Sequence, residues 1–96
     1  SKNKTKDKKL KNILEKKIST LIDIEKTVNI LYNKGYSGLD LINYIEQTDI
    51  FDEEKKYYYL VYFDKIRKEF KSEMLLMSII LYFILMRKEN TLENIL

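Results

Sequence analysis

The sequence contains no cysteine, histidine, proline, tryptophan or alanine, and it holds only two glycines and two arginines. Without cysteine or histidine there is no disulfide frame, no zinc site of the usual kind and no Ser-His or Cys-His nucleophile pair. Two glycines, Gly35 and Gly38, cannot build a Walker-type phosphate loop. A carboxylate-only magnesium site would need clustered acids. The nearest approach to a cluster is Asp49, Asp52, Glu53 and Glu54, which stand where the start of a helix favours negative charge. The expectation is a chain with no catalytic residues, no cofactor and no metal ligands.

No basic segment followed by an apolar run opens the chain, so no secretory signal is evident and an intracellular setting is expected. The first residue is Ser1 and the first methionine is Met74, so the chain is expected to be part of a longer protein. The preponderance of lysine over arginine, with abundant Ile and Asn, is what a low-GC genome produces. Few arginines also disfavour bidentate reading of bases.

The net charge of +3 is unevenly spread. Residues 1–17 carry eight lysines against Asp7 and Glu15, a balance of +6 that leaves −3 elsewhere. Residues 1–7 are polar and are expected to form a flexible basic leader, joined to a helical domain over 8–96. Lys2, Lys4, Lys6, Lys8, Lys9 and Lys11 are candidates for nonspecific contact with DNA phosphates. The plainer reading of the same run is a solvated linker.

What the chain does have is helical periodicity. Leu10, Ile13, Leu14, Ile18, Leu21 and Ile22 recur at three- and four-residue steps and predict a first helix over about 8–22. Asp23 is placed to cap a second helix, through Ile24, Val28, Leu31 and Tyr32, ending at Gly35 as a left-handed C-cap. Ser37 and Asp40 form a capping-box variant for a third helix running to about Gln47. Asp52 caps a fourth over about 53–70, and Ser72 and Glu73 open a fifth ending near Arg87. Residues 91–96 are expected to add a short turn. The fold expected is all-α, a five-helix bundle.

Twelve of the thirteen residues in 74–86 are apolar, with Ser78 the exception. Such a helix is apolar on every side, yet it rises only about 20 Å against the ~30 Å of a hydrocarbon core. It is expected to be buried in protein, with no membrane partner. Because alanine is absent, the 45% hydrophobic content consists of bulky side chains. A domain this small buries only about 60–65% of the surface that its unfolded chain exposes. Some apolar faces must therefore remain outside as candidate interfaces. Tyr57, Tyr58 and Tyr59 sweep roughly 200° of helical arc, so one at least faces away from the core.

Tyr32, the run Gly35-Tyr36-Ser37 and the run Asp40-Leu41-Ile42 resemble the "GYS-x-x-D-I-I" turn in the collar domain of replication factor C small subunits, the clamp loader. Asp64-Lys65-Ile66 and the later Ile79 and Ile80 are similar to that family's "R/K-I-x-x-G" element and last helix, so the likeness spans about residues 24–85. Glu69 or a neighbour stands where the family has glycine, and Leu75 about where many members have glutamine. The resemblance implies an oligomerisation collar that assembles a ring with other clamp-loader subunits or with itself. Upstream ATPase modules would act on the sliding clamp and on primer-template DNA. Contact candidates on that reading are Tyr58, Tyr62, Leu76, Ile80, Phe83 and Met86, each of which could equally be core.

A competing reading is a nucleic-acid-binding module, with helices two and three as a helix-turn-helix about Gly35 and the lysines as an N-terminal arm. Its third helix offers a groove only Asp40, Asn43, Glu46 and Gln47.

Overall fold

The computed structural model describes residues 2–15 and 20–89, with side chains described for 8–14 and 20–85. Among these residues there are five helices and no strand: α1 (Lys2–Glu15), α2 (Leu21–Asn33), α3 (Gly38–Gln47), α4 (Glu53–Glu69) and α5 (Glu73–Glu89). The all-α bundle is as the periodicity predicts. The short turn expected over 91–96 lies outside the described residues.

The N-terminal third differs from expectation in two ways. A single helix over 8–22 is replaced by α1 and α2, because Thr20 starts a new helix. Thr20 is extended (φ −138°, ψ 166°), and its hydroxyl accepts from the Asp23 N–H at 3.1 Å. In return the Asp23 carboxylate accepts from the Thr20 N–H at 3.2 Å. Asp23 is thus the third helical residue of a capping box and not the cap itself. The second difference is that the backbone is helical from Lys2, within the leader expected to be flexible. Lysine is a good helix former, and Leu10 and Leu14, both buried, anchor the helix that these turns extend.

The α2–α3 connection follows from two glycines with different tasks. Gly35 has φ +89°, the left-handed region, and the chain there closes a Schellman motif. The Tyr36 N–H donates to the Leu31 carbonyl at 2.9 Å and the Gly35 N–H to the Tyr32 carbonyl at 3.0 Å. Buried Leu31 and Tyr36 supply the apolar side of that motif. Ser37 then caps α3, accepting from the Asp40 N–H at 3.3 Å while the Asp40 carboxylate accepts from the Ser37 N–H at 2.8 Å. Gly38 permits close approach: a Cβ there would run into the Leu76 side chain of α5. Its N–H donates to the Glu73 carboxylate at 3.0 Å, tying the starts of α3 and α5 together.

Asp52 caps α4 by accepting from the Lys55 N–H at 2.9 Å, and Ser72 accepts from the Leu75 N–H at 3.2 Å at the start of α5. The Ser78 hydroxyl donates to the Met74 carbonyl at 2.8 Å, which satisfies the one polar side chain in the apolar stretch. Helix α5 packs against α2, α3 and α4, so it forms the spine of the bundle. Leu76, Met77, Ile80, Leu81, Ile84 and Leu85 all point inward and are buried. No helix among the described residues is long and apolar enough to cross a membrane.

Candidate interaction surface

Helix α5 cannot bury all of its circumference, and what is left outside is apolar. Leu75 is 50% exposed and Tyr82 43%, with Ile79 half-buried between them in the i, i+4, i+7 register of one helix face. On one flank this stripe meets α2, where Leu21, Ile24 and Val28 form the opposite wall of a groove of about 550 Å³. Leu21 is 68% exposed, and the groove margin carries one charge, Glu25.

On the other flank lies α4. The tyrosine triplet divides as its helical arc requires: Tyr57 and Tyr58 are mostly exposed, whereas Tyr59 turns inward. The Tyr59 ring lies 4.9 Å from Phe51 and 5.1 Å from Phe83, centroid to centroid. Tyr62, 40% exposed, meets Phe83 edge-on at 5.6 Å, and Phe83 adjoins Tyr82 at 6.2 Å. Ring contacts therefore link the α4 tyrosines to the α5 stripe and, through Tyr82, to the α2 groove. The surface is continuous across three helices, with Val61 and Lys65 exposed further along α4.

Of the contact residues expected from the sequence, Tyr58 and Tyr62 lie on this surface and Phe83 forms its half-buried floor. Leu76 and Ile80 do not reach it. Both are 1% exposed or less and fill the core, so a partner cannot touch them; the surface uses Leu75 and Tyr82 from the other side of the same helix. The Met86 side chain lies outside those described. Sequence reading missed Leu21, Val61, Leu75 and Tyr82.

Beyond this apolar face, Asp64 accepts from Arg67 at 3.3 Å and from Lys68 at 3.3 Å. The hydrogen bond from Arg67, then that from Lys68, holds its carboxyl below the ordinary value. Such a lowered pKa adds stability above the ordinary Asp value that is lost as the pH falls through the lowered one, and full exposure keeps the effect small.

The lysines expected to meet DNA belong to α1. Lys8, Lys9 and Lys11 are exposed on α1; the side chains of Lys2, Lys4 and Lys6 lie outside those described. Helix α3, which would have to be the reading helix of the competing helix-turn-helix, exposes Leu39, Asn43, Glu46 and Gln47 and so presents no cation to a phosphate backbone. Among the described residues no group of three or more acidic side chains converges to hold a metal ion. No protein-family model, curated protein or solved structure matches the chain.

Proposed function

We propose that this chain is an assembly module, a helical bundle that docks against a second domain of its own kind through the α2/α4/α5 surface. The observation that carries the reading is the apolar surface left uncovered: Leu21, 68% exposed, faces the α5 stripe across the groove, Tyr62 joins that stripe through Phe83, and Tyr57, Tyr58 and Val61 are exposed on the same helix as Tyr62. Aromatic side chains bury about 150–250 Å² each, so three helices' worth of such residues approaches the roughly 800 Å² per partner of a stable interface. A like partner is favoured by the charges at the margins. Glu25 borders the face on α2 and Lys65 on α4, and neither makes an ion pair among the described residues. A second copy turned end for end sets each against the other.

The finer form of the proposal is the collar of a clamp-loader subunit. Its support is the sequence likeness, together with the fact that the turn carrying that likeness, from Tyr32 to Asp40, joins two helices through a left-handed Gly35 and a Ser37–Asp40 box. On this reading the chain contributes assembly, and any chemistry on ATP belongs to other modules.

Light scattering over a range of protein concentration tests the proposal. The expected result is a mass above the monomer that rises with concentration, and a monomer of unchanged helicity for Leu75→Lys combined with Tyr58→Lys. A monomer at all concentrations for the unaltered chain would remove the reading. A closed dimer would retain self-assembly but reject a ring-forming collar.

A further inference from the structure

Among the described residues, α2 packs closely with α5, α3 with both α4 and α5, and α4 with α5, whereas α1 enters no such pair. Its described anchors are two leucines. Over residues 8–14, where the side chains are described, only Leu10 and Leu14 are buried and Ile13 is half-buried. Nor do its own charges favour the helix: the first turn carries no acid and the last turn no base, so neither end of the helix dipole is compensated. A helix of 14 residues is marginal in water without a packed face.

Helix α1 also leaves a gap where it meets α2. A cleft of about 630 Å³ separates Lys9, Asn12 and Ile13 of α1 from Thr27 and Ile30 of α2, with Lys34 and Tyr36 beyond the end of α2. Lys9 and Lys34 are both exposed, and no carboxylate lines the cleft. Two cations on facing walls repel, and the reach of that repulsion grows from about 10 Å to about 30 Å as the ionic strength falls from about 0.1 M to about 0.01 M. The apolar stretch of the walls pulls the other way, but Ile30 stays 43% exposed, so the closure there is incomplete.

We infer that α1 is an arm that leaves the bundle as a unit while α2–α5 remain folded, with the ionic strength setting the balance between closed and open. In the closed state Leu10 and Leu14 sit in the core and Lys9 stands across the cleft from Lys34. In the open state the two cations part, and Leu10, Leu14 and the wall formed by Ile30 and Tyr36 meet water. Low salt favours opening because the closed state alone carries the repulsion. The groove between α2 and α5 takes no residue from α1, so the inference holds whether or not the assembly surface pairs.

The test is amide hydrogen exchange of the 96-residue chain, followed residue by residue by nuclear magnetic resonance. Protection of Leu10, Ile13 and Leu14 is expected to lie roughly tenfold or more below that of Met77, Ile80 and Leu81, with a weaker dependence on urea, the mark of opening short of global unfolding. Raising the salt from about 0.01 M to about 0.1 M is expected to increase the α1 protection about twofold to fivefold. Lys34→Gln, at an exposed position outside α1, is expected to increase it by a similar factor at low salt and to remove most of the salt response. Equal protection and equal urea dependence for α1 and α5 overturn the inference. An α1 protection that Lys34→Gln leaves unchanged or lowers overturns it as well.

Discussion

Gly38 shows how far one residue constrains this bundle. Its missing Cβ lets α3 approach Leu76, a core residue of α5 with no room to retreat, and its N–H reaches Glu73 at the start of that helix. Gly38→Ala is therefore expected to destabilise the fold by about 1–3 kcal/mol, the usual cost of overpacking, read as a lower midpoint in urea denaturation. At Gly35 the reason is conformational, because φ +89° disfavours any residue with a Cβ. The capping roles of Ser37, Asp40 and Asp52 were legible in the sequence, since they depend on neighbours three residues away. The role of Gly38 was not, because its constraint comes from a residue distant in the chain. The same distinction separates Ile80 from Leu75. Both are bulky aliphatic residues of one apolar helix, and only the packing of α2, α3 and α4 decides which is inside. Ile80→Lys is expected to abolish cooperative thermal unfolding followed by circular dichroism, whereas Leu75→Lys preserves it, because an unpaired charge in the core costs several kcal/mol.

At the scale of the element, helices α3, α4 and α5 begin where their short-range signals place them, while the α1–α2 junction escaped sequence reading. The apolar spacing runs on from Leu14 to Leu21 and Ile22, and periodicity alone reads this as one helix. The structure instead leaves Leu21 and Ile22 more than 60% exposed and starts a new helix from an extended Thr20. The competing signal was the Thr20–Asp23 pair, a capping box with Asp in place of the commoner Glu. Thr20→Ala removes the acceptor for the Asp23 N–H and is expected to cost about 1 kcal/mol, measurable as a small drop in urea midpoint. Helix α4 is amphipathic in an unusual sense, since Phe63 and Ile66 are buried on one side while Tyr58, Val61 and Tyr62 face outward on the other. A helix with apolar residues on both sides is suited to lie between two bodies, which is what the proposed docking of a second copy requires.

For the molecule as a whole, the lack of alanine foreshadowed an excess of large apolar surface, and the structure places much of it on α2, α4 and α5, with Ile22, Ile30, Tyr32 and Leu39 exposed besides. The α2/α4/α5 surface was only half legible: Tyr58 and Tyr62 stood among the contact candidates of the sequence, but Leu75 and Tyr82 depend on how α5 is rotated in the bundle, and Leu21 on where α2 begins. If two copies meet through this face, Glu25→Lys and Lys65→Glu should each weaken association several-fold, and the double variant should recover most of it, in sedimentation equilibrium at low salt. The most direct measurement is an isotope-filtered nuclear Overhauser experiment on a mixture of labelled and unlabelled chains. The account predicts intermolecular signals joining Leu75 and Tyr82 of one copy to Tyr58, Val61 or Leu21 of the other. Associated chains whose intermolecular signals come only from α1 or α3 would contradict it.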